Sequence, residues 1–433
     1  MEKKLQKLQY LLCTALTLHY LCIQITTMEA FQTHILPNGL KIIHEPCRSG
    51  VAYFGVAVNV GSRDEDASLL GMAHFVEHTI FKGTKHRKSY HIVNRMERVG
   101  GEINAYTSKE ETMVYSVFPS QYYDRAMELI ADLVQHSQFP ASELNKEREV
   151  VLDEVNSYLD TPSEAVYDDF EDLLFAGSGL GHNILGCETT LRTFTPEMCR
   201  TFIDRHYVPA NMALFSAGDI DFARLCRLAE KHFGSLKNEL QRIERVAPQV
   251  VAPFHIKREI DGYQSHTIYG AQVFGMYDSR KYALTLLNNI LGGPGMNSLF
   301  NLSLRERRGY VYTVESSTTL FTDSGEFNVY FGCDSHHVKP CLRLIGGIIE
   351  DIAEHGISAV TLDRAKRQYT GQLLIASENR ESTSLSLGKS MLFYGKASTI
   401  AEISDRIKNV SSEEVREVAS LITPDKASTL TFA

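Results

Sequence analysis

Two histidines and a glutamate fall inside the stretch GMAHFVEHTIFKGT, which begins at Gly71: His74 and His78 lie four residues apart, with Glu77 directly before the second. On a helix, residues four apart share a face, so both imidazoles can reach one ion. Imidazole nitrogen is a favoured ligand of zinc, and a catalytic zinc takes three protein ligands and keeps a fourth position open. Glu77, one turn from His74, stands beside that position as a base for a water molecule. The order is HxxEH, the reverse of the HExxH helix. A third ligand has to come from a later element. NKEREVVLDEVNSY offers Glu147 and Glu154, seven apart and so on one helical face, alternating with an apolar stripe of Val150, Val151 and Val155.

The elements that must position these groups follow from the pattern of apolar and turn residues. THILPNGLKIIHEP reads as strand, Asn-Gly turn and strand, and VAYFGVAVNVGSR is β-rich and runs into the histidine helix. YHIVNRMERVGG is a helix closed by Gly100 and Gly101, and two strands around a polar turn follow it. Helices then come over QYYDRAMELIADLVQHS and ASELNKEREVVLDEVNSYLD. From residue 254 the order of elements repeats, and TPEMCRTFIDRHYVPANMALFSAG and SSEEVREVASLITPDKASTLTFA share a capped helix, a proline turn and a final strand. The duplication predicts an α+β chain of two homologous domains, 29–236 and 254–433, joined by a polar, proline-containing linker over 237–253.

With 433 residues, 43% of them hydrophobic, the chain can build two cores. A net charge of −9 and the absence of any Lys/Arg tract argue against nucleic acid as a partner. Eight scattered cysteines with no CxxC pair fit a reducing compartment, and a cytoplasmic location is expected. Residues 1–28 form an N-terminal extension resembling a poor export signal; read as a working signal, it would make the protein exported or periplasmic instead. No other stretch is apolar and long enough for stable membrane insertion.

HFVEH, FKGT shortly after it, GGEINAYTS, and EREVVLDEV with its last glutamate 76 positions beyond the second histidine together resemble the M16 (pitrilysin or insulinase) metallopeptidases, in the short form related to mitochondrial processing peptidase and bacterial two-domain homologues. The resemblance implies domains that are each a mainly antiparallel sheet packed against helices, of the LuxS/MPP-like metallohydrolase type. It implies one zinc ion per chain on His74, His78 and Glu154, Glu77 as the catalytic base, and Glu147 as a partner to a zinc-binding histidine. It also implies a zinc-dependent endopeptidase acting on oligopeptides or unfolded segments. The alternative within the family is a subunit without catalysis that binds or scaffolds peptides. Long members carry four such domains and this chain two, which implies a homodimer.

Peptidases commonly hold substrate by adding it to a free sheet edge, and the resemblance makes Asn104 and Ala105 of INAYTS that edge. LRERRGYVYTV puts Arg305 and Tyr312 at the spacing of the family's Arg/Tyr pair, whose donors suit developing negative charge on a carbonyl oxygen. Arg307 and Arg308 read as a solvated helix end. LGGPGMNS is not followed by the Gly-Lys-Ser/Thr of a phosphate loop, and reads as a turn. His336 and His337 are adjacent, so that on a strand they would face opposite sides and not easily share one ion, and they read as surface residues.

Overall fold

The computed structural model describes residues 30–238 and 244–433. The N-terminal extension expected over 1–28 lies outside the described residues, as do positions 239–243 of the expected linker. The first half contains β1 (Gln32–Ile35), β2 (Lys41–Pro46), β3 (Val51–Val58), α1 (Met72–Thr79), α2 (Ser89–Glu97), β4 (Glu102–Thr107), β5 (Thr112–Pro119), α3 (Tyr123–His136), α4 (Ala141–Leu159), α5 (Pro162–Leu174), α6 (Glu188–Leu191), α7 (Pro196–His206), β6 (Met212–Gly218) and α8 (Phe222–Phe233). In the second half follow β7 (His255–Arg258), β8 (Ser265–Val273), α9 (Lys281–Gly292), β9 (Val311–Leu320), β10 (Gly325–Cys333), α10 (Val338–His355), α11 (Ala359–Ala376), α12 (Arg380–Tyr394), α13 (Ile400–Asn409), α14 (Ser412–Ala419) and β11 (Ser428–Phe432).

Two mixed sheets result. The first runs β1-β2-β6-β3-β5-β4 and the second β7-β11-β8-β10-β9. Every pairing is antiparallel except β2 with β6 and β7 with β11, which are parallel. The second order therefore repeats β2-β6-β3-β5-β4 element for element, and β4 and β9 occupy equivalent edges.

Strands β6 and β10 are buried at every residue, which explains why MALFSAG reads as a near-continuous run, while β10 buries the polar Glu326 and Asn328 among its apolar residues. Both faces of each sheet are covered, and each half covers one face of the other's sheet. Over the first sheet, Phe54, Phe75, Ile130, Leu133 and Phe233 form the core on one side. On the other side, Ile43, Ala57, Ala213 and Phe215 meet Leu387 and Met391 of α12, a helix of the second half. A Cβ on Gly388 would sit 2.5 Å from the Phe215 ring, so α12 approaches this closely only with glycine there. Reciprocally, Val166, Phe170 and Leu174 of α5 pack on Ile268, Leu430 and Phe432 of the second sheet.

The turn between β4 and β5, polar in sequence, is buried. Lys109, Glu110 and Glu111 are 6%, 2% and 4% exposed, and each pairs with a different element. Lys109 Nζ lies 2.9 Å from Glu171 of α5, and Glu111 accepts from Lys389 of α12 at 2.7 Å. Glu110 takes the Arg63 guanidinium at 2.5 Å and the Thr322 N–H and hydroxyl at 2.8 and 2.7 Å, while Arg63 also holds Asp323. Beyond the undescribed positions, Arg245 of the expected linker binds Asp64 at 2.7 Å. Charges this deeply buried are tolerated because every one is paired.

Among the described residues, no helix is long and apolar enough to cross a membrane. The six described cysteines are all free.

Candidate metal centre

Helix α1 begins at Gly71, whose φ of 91° is the left-handed conformation that favours glycine, and a Cβ there would lie 2.6 Å from the Leu185 carbonyl oxygen. Its first turn is closed by Glu65, which accepts from the N–H groups of Gly71 and Ala73 at 2.7 and 2.6 Å, satisfying donors a helix start leaves free. Met72, Ala73, Phe75 and Val76 are buried and fix the helix by packing. The remaining face carries His74, Glu77 and His78.

Helix α4 lies against α1 and brings Glu154 to the histidines. Glu154 Oε2 is 3.9 Å from His74 Nε2 and 3.5 Å from His78 Nε2. The two rings are 4.5 Å apart between centroids. Three ligand atoms bound to a tetrahedral zinc at its usual N and O distances lie about 3.3 Å from one another, so the triad is close to the spacing such an ion requires. His74 is buried and its Nδ1 has no hydrogen-bond partner. Burial, and then the charge of His78, push its pKa down to about 3, which keeps the imidazole neutral, the form that binds metal. The donor set, two imidazoles and a carboxylate, fits one zinc ion per chain.

Glu77 faces the same space without joining the triad. Burial pushes its carboxyl above the usual range and Glu154 adds to this, while His78 and the Thr107 hydroxyl work against it. Glu147, two turns before Glu154 on α4, places Oε1 3.2 Å from His78 Nδ1, and its Oε2 lies 2.7 Å from Lys82 Nζ. A ligating histidine fixed through its second nitrogen by a carboxylate is a recurrent arrangement around zinc. Lys82 went unassigned in the sequence although FKGT contains it. Its position four residues after His78, just past the end of α1, is the signal that could have found it. Within the apolar stripe expected on α4, Val151 is buried but Val150 is 50% exposed, since it turns away from α1 while the glutamates turn toward it.

Asn104 and Ala105 lie in the middle of β4 and not at a turn, opposite Tyr115 and Val114 of β5. Because β4 pairs on one side only, its outer edge is free for another strand. Arg305 projects from a π-helical turn, Asn301–Glu306, into a cavity lined by Asn289, Met296, Glu315 and Tyr369. Tyr312 is 62% exposed on the edge strand β9, and its hydroxyl donates to Asp334 Oδ1 at 2.9 Å, a contact that raises the phenol's pKa. Among the described residues, no hydrogen bond or ion pair links Arg305 or Tyr312 to His74, Glu77, His78 or Glu154. His336 and His337 sit on a tight turn after β10 and not on a strand, with their ring centroids 3.9 Å apart, so the strand geometry that would keep them from sharing an ion does not apply.

Known proteins resemble this chain in sequence and in fold. Residues 43–188 match the family model Insulinase (Peptidase family M16), and residues 193–369 match Peptidase M16 inactive domain. An uncharacterized zinc protease of Mycobacterium tuberculosis is 35% identical over 393 residues, 89% of each chain. One of Bacillus subtilis is 32% identical over 396 residues, covering 90% of this chain and 95% of that protein. A protease from Helicobacter pylori superposes with a TM-score of 0.86 over 93% of this chain and 99% of its own, at 22% identity. The second half has no counterpart of the histidine helix: α9, which follows β8 as α1 follows β3, carries no histidine, aspartate or glutamate. With relatives at this identity along nearly its whole length, the chain belongs to peptidase family M16, the insulinase family of zinc peptidases.

Proposed function

We propose that the protein is a zinc-dependent endopeptidase that cleaves oligopeptides or unfolded segments, with chemistry centred on α1 and α4. The observation that carries this reading is the approach of Glu154 to both histidines of the HxxEH helix, with Glu77 beside them and outside the ligand set. His74, His78 and Glu154 would hold the ion, and Glu147, backed by Lys82, would orient His78. Zinc, when bound, supplies the positive charge that polarises a peptide carbonyl and makes a water molecule more acidic. Glu77 then takes the proton from the attacking water and returns it to the leaving amine. Its burial suits it to hold that proton between the two steps. The free edge of β4 at Asn104 and Ala105 would align substrate by backbone hydrogen bonds, so that many sequences fit. Arg305 and Tyr312 would donate to the carbonyl oxygen as it becomes negative.

Cleavage profiling on a peptide library by mass spectrometry tests this. Wild-type chain should hydrolyse internal bonds, stop with a strong chelator and recover with zinc. Glu77→Gln should keep zinc and lose about two to four orders of magnitude in kcat. Glu154→Gln should lose zinc itself, since a three-ligand site missing one ligand binds far more weakly. A purified chain that folds normally but carries no metal and cleaves nothing would favour the peptide scaffold instead.

A further inference from the structure

Asp334, Ser335, His336 and His337 form a turn whose donors the peptidase reading leaves unused. Strand β10 ends at Cys333, the His337 N–H donates to the Asp334 carbonyl oxygen at 2.8 Å, and α10 starts at Val338. Closing the chain in this way brings the first, third and fourth side chains together. One ligand atom from each of Asp334, His336 and His337 lies within 4.8 Å of the others. Tyr310 stacks on His337 at 4.4 Å between centroids and steadies that ring. Among the described residues neither imidazole has a hydrogen bond or carboxylate partner, and Asp334 uses only Oδ1, on Tyr312. The three groups are thus too far apart to satisfy one another and near enough for one ion to bridge them.

A second His/Asp/His trio, His86, Asp132 and His136, shows the contrast. There both carboxylate oxygens are already engaged, Oδ1 by His86 at 2.6 Å and Oδ2 by Thr84 and Arg87 at 2.7 and 2.6 Å. That trio is a structural network with no free carboxylate oxygen to give an ion.

We propose that Asp334, His336 and His337 form a second metal site, separate from the His74/His78/Glu154 centre, which takes a first-row divalent ion such as zinc and acts on Tyr312 through the shared Asp334 carboxylate. Two imidazoles and one carboxylate suit zinc, copper or nickel rather than magnesium or calcium. His336 is exposed, so solvent completes the coordination, and no carboxylate orients either ring, so the site is weaker than the first. A cation on Asp334 competes with the Tyr312 hydroxyl for the same carboxylate. The consequence for activity rests on the peptidase reading; the site itself does not.

The test loads metal-stripped full-length chain with zinc in equilibrium dialysis and counts bound ions by elemental analysis. Wild type should take up two equivalents, one tight and one weaker. His336→Ala/His337→Ala and, separately, Asp334→Asn should each lose the weaker one, whereas Glu154→Gln should lose the tight one and keep the weaker. Saturation of wild type at one equivalent, or a weaker equivalent that survives both turn variants, overturns the site. Failure of the catalytic assignment looks different: the tight equivalent would survive Glu154→Gln. In hydrolysis assays, zinc levels that fill the weaker site should raise wild-type activity several-fold, because the released Tyr312 hydroxyl is free to donate to the carbonyl oxygen, and leave the double histidine variant unaffected; equal responses overturn the link to Tyr312.

Discussion

Glu147 does for His78 what no group among the described residues does for His74: it engages the second ring nitrogen and is itself held by Lys82. Glu147→Gln removes the negative charge that makes His78 a better ligand and leaves the Lys82 ammonium unpaired. Zinc affinity should fall about 10–100-fold, the usual effect of losing such a partner, while Glu77→Gln leaves affinity near wild type. Competition against a chromophoric chelator measures both. Equal affinity in Glu147→Gln and wild type would remove the His78 contact from metal binding. Helical period places His74, Glu77 and His78 on one face and Glu147 and Glu154 on another; that Glu154 completes the triad and Glu147 partners a histidine was legible only through the resemblance. The Lys82 contact was not, since a lysine at a helix end is solvated by default and its partner lies on another helix. Only on a strand would His336 and His337 be kept from sharing an ion, whereas β10 ends at Cys333 and nothing in the residue types announces that the chain turns immediately afterwards.

The β4–β5 hairpin is the element in which the two functions of the fold meet. Its edge carries Asn104 and Ala105, and its turn carries the three charges that tie α5, α12 and the β9–β10 turn to the first sheet. Replacing Arg63 with Met would leave Glu110 and Asp323 without their shared cation, and Glu110 is almost fully buried. Breaking such a pair from one side costs about 3–5 kcal/mol. Arg63→Met should therefore lower the denaturation midpoint by that equivalent, whereas Arg63→Met with Glu110→Gln and Asp323→Asn should recover part of the loss. A single variant as stable as wild type would show that this network adds nothing to stability. The sequence displayed the strands, through β-branched and aromatic runs. It did not display what covers the second face. The covering helices come from the opposite half, and no local period records a contact between residues as distant as Phe215 and Leu387. Nor does the turn Lys-Glu-Glu differ in type from a solvated one; only its partners, Arg63, Glu171 and Lys389, make it an interior feature.

At the scale of the molecule, buried histidines set the response to acid, and the repeated topology sets where substrate would sit. Burial pushes His44 and His206 down to about 4. His44 faces the Ser216 hydroxyl and stacks on Phe222, and Arg205 lowers His206 further against a weak opposing pull from Asp66. In the unfolded chain both bind protons near 6.5, so between about 4 and 6.5 the unfolded state carries more protons. Their contribution is present in full above 6.5 and is lost as pH falls toward 4, on the order of a few kcal/mol for the pair. Urea midpoints measured on metal-free chain should decline across that window, and His44→Gln should flatten the decline; a flat wild-type profile would contradict the assignment.

The repeat places β4, with Asn104 and Ala105, and β9, with Tyr312, at equivalent edges of the two sheets, yet no hydrogen bond or ion pair joins Tyr312 to the histidine site within one chain among the described residues. A pair of chains in which the second half of one faces the first half of its partner would bring the two edges to opposite sides of one substrate and enclose it, admitting short or unfolded peptides and excluding folded ones. In that arrangement a Glu77→Gln chain and a Tyr312→Phe chain, each nearly inactive alone, complement each other. The mixed dimer contains one centre with Glu77 from one chain and Tyr312 from the other, so activity should return to roughly a quarter of wild type if chains exchange at random and equally, as half of the dimers are mixed and each has one working centre of two. Native mass spectrometry establishes that mixed dimers have formed before activity is read. Mixed dimers that stay inactive would mean either that Tyr312 serves the centre of its own chain or that the two chains do not share a chamber, and a linked dimer with both substitutions in one half checks this from the other side: it retains one fully intact chain, and so keeps activity only if each chain works alone.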